Sequence, residues 1–202
     1  MTWITDIAAL EALYPEPPSQ AARDKVTPHL TPAYRAWIER ARFCLLASTG
    51  PGGTDCSPRG DDGPVVTVLD AGSLALPDWR GNNRLDSLRN IVADGRVSLT
   101  FLVAGSQDIL RVNGTARLSV APDLLARFDR QGRGPRCVIV VALAEVYMQC
   151  AKSLMRSRLW QDGDQSAGLP TLGTILQEIT AGGIDGAAFD TAAPARNRQR
   201  LW

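Results

Sequence analysis

A polar loop that leads into an amphipathic segment, from Leu76 to Asn90, is the stretch of this chain best suited to chemistry. Apolar residues recur at helical spacing in its second half, so we expect a helix over 84–94. Asn82 or Asn83 would cap that helix, with Asp86 as the capping acid.

The start of this helix could hold a phosphate. A helix N-terminus offers unpaired backbone N–H groups and a partial positive charge. Arg80, Arg84 and Ser87 would add side-chain donors suited to a phosphate dianion. The alternative is a capped surface helix with solvated arginines.

A second candidate phosphate contact is Arg59, which follows the small hydroxyl residue Ser57 at the end of a predicted strand. Its planar guanidinium could bind phosphate through two hydrogen bonds. Gly60 would allow a ligand to approach the backbone closely. The alternative is an ordinary ion pair of Arg59 with Asp61 or Asp62.

Two further segments carry polar or cationic side chains. Apolar and polar residues alternate over 110–117, which is typical of a strand with Arg111, Asn113 and Thr115 on one face. Farther along, a strand gives way to a cationic segment with Lys152, Arg156, Arg158 and a terminal aromatic, Trp160. This segment is either a positive wall beside an anionic cofactor or substrate, or a solvated helix face.

Many short strands must position these residues. Apolar runs bounded by turn residues predict strands over 43–48, 55–60, 65–70, 73–77, 96–104, 109–120 and 136–148. Helices are predicted before residue 42, with one starting at Thr31-Pro32, and over 151–160 and 172–180. Because one helix interrupts the strands, we expect an α+β fold built on a closed or partly closed barrel. No Gly-rich phosphate loop occurs, which argues against a classical dinucleotide fold.

Composition narrows the function classes. A chain of 202 residues suits one domain, with N-terminal helices over 1–42, a barrel over 43–150 and a helical segment over 151–202. The 22 basic and 21 acidic residues nearly cancel, which favours a small-molecule partner over nucleic acid or a membrane surface. No apolar run is long enough to span a bilayer, and residues 1–13 lack a signal-peptide pattern, so we expect a cytoplasmic protein.

Metal and triad chemistry are disfavoured. The single histidine, His29, lies between two prolines in a turn-like segment, and we expect it to be exposed. The four cysteines match neither zinc-ligand spacing nor a disulfide framework, so we interpret them as reduced thiols. We therefore expect no metal site.

Taken in order, the four segments resemble the pyridoxamine 5'-phosphate oxidase-like FMN-binding proteins, in particular the subgroup of predicted flavin-nucleotide-binding proteins. The pieces that carry the resemblance are Ser57-Pro58-Arg59-Gly60-Asp61, the loop from Gly81 to Leu88, Leu110-Arg111-Val112-Asn113-Gly114, and Cys150-x-Lys152 leading to Arg156-Ser157-x-Leu159-Trp160.

The resemblance implies a six-stranded FMN-binding split β-barrel that forms a homodimer with FMN at the subunit interface. Arg59 and the residues from Asn82 to Ser87 would hold the phosphate. The flavin ring would lie beside 57–60 and 77–79, and the partner's 152–160 segment would close the pocket. The cofactor-binding set is then Ser57, Arg59, Gly60, Asp78, Asn82, Asn83, Arg84, Ser87, Arg111, Lys152, Arg156 and Trp160. Catalytic residues stay unassigned.

Two departures from the family affect the expected reaction. Many relatives carry histidine before the cysteine of the last motif, where this chain has Gln149. A C-terminal arginine and histidine motif of true pyridoxamine phosphate oxidases is missing from 197–202, so vitamin B6 oxidation is not expected. The resemblance implies an FMN-dependent oxidoreductase acting on a small molecule. The alternatives are a non-catalytic flavin or haem carrier or sensor, and a cofactor-free partner-binding barrel.

Overall fold

The computed structural model describes all 202 residues. Its strands are β1 (Phe43–Gly50), β2 (Gly53–Gly60), β3 (Thr67–Asp70), β4 (Ser73–Pro77), β5 (Arg96–Leu102), β6 (Ile109–Ser119) and β7 (Val138–Gln149). Its helices are α1 (Ile7–Ala12), α2 (Gln20–Asp24), α3 (Pro32–Arg40), α4 (Asp86–Ala93), α5 (Pro122–Ala126), α6 (Lys152–Ser157), α7 (Leu172–Ile179) and α8 (Gly186–Arg198).

All strands belong to one antiparallel sheet with the order β2-β1-β5-β6-β7-β4-β3. The mixed α and β fold class is therefore confirmed. The sheet has seven strands rather than the six that the resemblance implied. The shortest strand is β3, a four-residue edge strand that pairs only with β4.

One apolar core lies against this sheet. It contains fully buried side chains such as Leu46 of β1, Phe101 of β5, Leu110 of β6 and Ile139 of β7. Since β1, β4, β5, β6 and β7 all contribute to the same cluster, the sheet encloses a single interior. Strand β2 contributes nothing to this core, which leaves its side chains free to line a site.

The predicted β1–β2 hairpin is confirmed, with Phe43 opposite Gly60 and a tight turn at Pro51-Gly52. The predicted helix start at Thr31-Pro32 is also confirmed, because the Thr31 side chain accepts a hydrogen bond from the Tyr34 N–H at 3.2 Å. That helix, α3, places Ile38 in the core.

Several helices differ from the sequence prediction. Helix α4 begins at Asp86, two residues later than expected, and α6 ends at Ser157, three residues before its predicted end. Helix α5 was not predicted, and α8 lies in the predicted helical segment over 151–202 but was not predicted as a separate helix. Helices α7 and α8 pack mainly on each other. No helix in the structure combines the length and the apolar character needed to cross a membrane.

Candidate functional site

A cavity of about 590 Å³ lies between β2, the chain that follows β4, and the start of α4. It brings together seven residues of the predicted cofactor set, namely Ser57, Arg59, Asp78, Asn82, Asn83, Arg84 and Ser87. Gly60 instead lines a smaller cleft next to this cavity.

Strand β2 forms one wall of the cavity, because half-buried and exposed residues alternate along it. Asp55, Ser57 and Arg59 are half-buried, while the residues between them are exposed. Successive side chains of a strand point to opposite faces, so these three share the face that lines the cavity. As an edge strand, β2 tolerates Pro58 within it.

Arg59 is the most constrained cation of the cavity. Its Nη1 donates to Asp78 Oδ1 at 2.7 Å, and its Nη2 lies 3.4 Å from Ser87 Oγ. The two side chains of this ion pair are only 19% and 17% exposed. Arg59 Nε is buried without a hydrogen-bond partner. A buried donor without a partner is costly, so this guanidinium retains the capacity to bind a further acceptor.

A serine and carboxylate cluster adjoins Arg59. Asp55 accepts hydrogen bonds from Ser57 Oγ at 2.9 Å and from the buried Ser87 Oγ. The two serine oxygens lie 3.1 Å apart. This cluster joins β2 to the first turn of α4 and fixes where the helix begins relative to Arg59.

The predicted cap of α4 is wrong. Leu85 is the N-cap residue, in a left-handed conformation with φ 62°, and no side chain caps the helix. Asn83 is also left-handed, with φ 59°, and Asn82 Oδ1 accepts from the Arg84 N–H at 3.0 Å. The asparagines therefore shape the loop, and the first N–H groups of α4 keep no side-chain partner.

The charges around the cavity are mixed. Four arginines line it, Arg59, Arg80, Arg84 and Arg136, together with the carboxylates of Asp55, Asp78 and Asp86. Arg84 is 75% exposed on its side chain and pairs with Asp86 at 2.8 Å. It is therefore less firmly held than Arg59, although it lies at the same opening.

One thiol also lines the cavity. Burial, and to a smaller extent the nearby Asp78 carboxylate, raise the pKa of Cys137 above its ordinary value. This thiol is therefore protonated at neutral pH and is a poor nucleophile. No histidine lines the cavity, and His29 is exposed, as its turn-like context predicted.

Besides Gly60, four residues of the predicted set lie outside this cavity. Arg111, on β6, stacks over the Tyr147 ring at 5.3 Å. Lys152 and Arg156 are exposed on α6, and Trp160 Nε1 donates to the Ser106 carbonyl at 2.7 Å. A single chain thus brings the first two segments together and leaves the other two elsewhere.

The predicted cofactor-binding set left out nine of the sixteen residues that line the cavity, among them Asp55, Arg136 and Cys137. The alternation along β2 was a usable signal for Asp55, since it shares the phase of Ser57 and Arg59. Arg136 and Cys137 reach the cavity just before β7 because β7 pairs with β4, and nothing in the local sequence indicates that pairing.

The sequence profile of one protein family, described as pyridoxamine 5'-phosphate oxidase, matches residues 30–150. The match spans α3 and all seven strands, and it includes the cavity. No curated protein matches the sequence.

Several solved structures are similar to this chain. One is HupZ of Group A Streptococcus, which is 13% identical, with 59% of this chain and 93% of that chain covered and a TM-score of 0.49. A second is a putative pyridoxamine 5'-phosphate oxidase of Lactobacillus delbrueckii, 22% identical over 60% and 95% of the two chains, with a TM-score of 0.48. A third is an FMN-binding protein of Syntrophomonas wolfei, 12% identical over 58% and 89%, with a TM-score of 0.43.

Proposed function

Because the chain belongs to the pyridoxamine 5'-phosphate oxidase family, we propose that it binds FMN in the cavity between β2 and α4 and acts as an FMN-dependent oxidoreductase on a small molecule. The observation that carries this proposal is Arg59. Its guanidinium is held in place by Asp78, yet its buried Nε has no partner. A rigid, half-buried cation with unused donor capacity is suited to a phosphate oxygen.

The start of α4 supports the same assignment. Its uncapped N–H groups and the partial positive charge of a helix N-terminus favour an anion. Ser57 and Ser87 add hydroxyl groups beside Arg59. Asn82, Asn83 and Arg84 would contribute from the loop, since they line the same cavity.

The carboxylates of Asp78 and Asp55 have separate functions in this proposal. Asp78 orients the guanidinium through the 2.7 Å ion pair. Asp55 holds Ser57 and Ser87 in fixed positions. Both carboxylates already accept hydrogen bonds from side chains of the site. They would therefore repel an incoming phosphate less than free carboxylates would.

FMN fits this arrangement better than FAD. The cavity gathers its phosphate donors into one cluster around Arg59 and α4. A pyrophosphate is normally held by a Gly-rich turn that opens a helix, and the sequence has no such motif.

When bound, FMN would supply the hydride-transfer chemistry itself. This chain would then bind and orient the cofactor. No histidine lines the cavity, and the Cys137 thiol is protonated at neutral pH. Neither a histidine base nor a cysteine nucleophile is therefore part of the proposed reaction. The proposed reaction therefore depends on positioning and charge rather than on a catalytic triad.

We also propose a homodimer in which the partner subunit's α6 segment completes the pocket. Lys152, Arg156 and Trp160 are exposed and do not line the cavity of their own chain. The Trp160 hydrogen bond to Ser106 fixes the end of this segment on the β5–β6 loop. Cations held in this way at the surface could reach an anionic cofactor in a second subunit.

A non-catalytic flavin carrier is the second candidate. The observation that favours it is the absence of histidine from the cavity. Reduction of a substrate commonly needs a proton donor as well as the flavin, whereas a carrier does not.

Turnover distinguishes the two candidates. We expect protein loaded with FMN to be bleached by NADH or NADPH under anaerobic conditions and to reoxidise when oxygen or a quinone is added. Flavin absorbance followed in a stopped-flow instrument measures both steps, with free FMN as the control. Bound flavin that stays oxidised with both nucleotides would instead indicate the carrier.

A further inference from the structure

Next to the cavity between β2 and α4, called the phosphate cavity below, lies a second, smaller cleft of about 270 Å³. The two spaces share Arg59, Trp79, Arg80 and Gly81, so a ligand could extend from one into the other. The remaining lining of the cleft is mostly apolar. On one side it is closed by Leu201 and Trp202, which come from far along the sequence.

The two indole rings of the cleft contact each other. Trp79 and Trp202 have ring centroids 5.1 Å apart and an interplanar angle of 76°, the edge-to-face geometry that aromatic pairs favour. Arg130 lies over both rings, with its guanidinium carbon 4.0 Å from the Trp202 centroid and 5.4 Å from the Trp79 centroid.

A buried carboxylate anchors this group. The Asp61 side chain is 5% exposed, and it accepts hydrogen bonds from Trp79 Nε1 at 2.9 Å and from Arg130. Arg130 also pairs with Asp62 at 2.7 Å. Asp61 directly follows β2, so the position of Trp202 is linked to the strand that carries Arg59.

We propose that Trp202 is a specificity-determining residue that selects a flat conjugated ring in this cleft, with Arg130 as its positioning residue. This rests on the proposed function, because the ring would belong to a ligand whose phosphate lies in the neighbouring cavity. Trp202 forms an aromatic wall, and Arg130 holds that wall through a cation–π contact.

The chemistry of the cleft fits such a ring. Its accessible walls combine the two indoles and Pro58 with the polar groups of Arg59 and Arg80, whereas the lining residues Val65 and Leu76 are almost fully buried. Arg59 and Arg80 lie where the cleft meets the phosphate cavity. A molecule with a flat apolar end and an anionic end would match both spaces.

The test compares three probes by isothermal titration calorimetry: FMN, lumiflavin, which has the ring without the phosphate, and ribose 5-phosphate, which has the phosphate without the ring. We expect Trp202→Ala to weaken FMN and lumiflavin roughly 3- to 10-fold, since aromatic contacts are worth about 0.5–1.5 kcal/mol. Ribose 5-phosphate should bind as it does to the parent. Trp202→Phe should keep most of the ring affinity.

Variants of Arg130 test its positioning role, and a variant of a distant tryptophan serves as the control. Arg130→Ala should weaken lumiflavin in the same direction as Trp202→Ala, and Arg130→Lys should restore part of the loss. Trp3→Ala, at an exposed tryptophan outside the cleft, should change nothing.

Unchanged lumiflavin and FMN affinity in Trp202→Ala would overturn the inference. An equal loss of ribose 5-phosphate would also overturn it, because that result indicates a general defect of the site. If the parent binds lumiflavin in a Trp202-dependent manner but does not bind FMN, the proposed function fails and the cleft assignment stands. If the parent binds neither flavin, both are wrong.

Discussion

Replacing Arg59 with alanine is expected to weaken FMN binding about ten- to hundred-fold. The variant leaves the phosphate without a charge-assisted hydrogen bond, and such bonds are typically worth about 1.5–3 kcal/mol. Arg59→Lys should recover only part of the affinity, since an ammonium keeps the charge but loses the planar arrangement of donors. Titration of apo-protein with FMN, followed by quenching of flavin fluorescence, measures the effect.

Two controls separate binding from folding in this experiment. Arg59→Ala leaves the half-buried Asp78 carboxylate without its partner, so the double variant Arg59→Ala, Asp78→Ala should also be measured. It should bind as weakly as the single variant if the missing cation is the cause. Arg117→Ala, at an exposed arginine of β6 outside the cavity, should bind FMN like the parent. Parent-like affinity in Arg59→Ala would remove Arg59 from the site.

Arg84→Ala is expected to weaken FMN less than Arg59→Ala. The Arg84 side chain is 75% exposed and its charge is already shared with Asp86. The sequence alone gave no reason to rank these two arginines, and the difference in their burial provides one.

Replacing Phe101 with alanine should lower the free energy of unfolding by about 3–5 kcal/mol, the usual cost of removing a large aromatic side chain from a packed core. Phe101 is fully buried on β5, opposite Cys44 of β1. Phe43→Ala is the matched control, because Phe43 is 41% exposed on the same pair of strands. Denaturant unfolding at equilibrium measures both variants.

A cost below about 1 kcal/mol for Phe101→Ala, or an equal cost for the two variants, would contradict the core described above. The comparison holds residue type and strand pair constant. Burial is then the main variable that differs between the two positions.

Local patterns were sufficient to predict most of the sheet. Strand β4 was predicted at its observed bounds, and the β1–β2 hairpin followed from the Gly-rich turn between two short runs. Helix α8 could not be predicted in the same way, because Gly186 and Pro194 are poor helix formers and its apolar residues form no clear stripe.

The candidate site was predictable only where it depends on one strand or one loop. The alternation of β2 places Ser57 and Arg59 on the same face, as the sequence indicates. The start of α4 was mispredicted because Leu85, an apolar residue, adopts a left-handed conformation that residue type does not favour. The Trp79–Trp202 contact joins distant segments, so tertiary packing alone determines it.

The most direct test of the central claim is native mass spectrometry of the purified protein after incubation with equimolar FMN and FAD. We predict a dimer whose mass exceeds that of two chains by two FMN molecules. A monomer that retains FMN would contradict the proposed shared pocket. A complex with FAD, or a protein that takes up neither nucleotide, would contradict the assignment of the cavity to FMN.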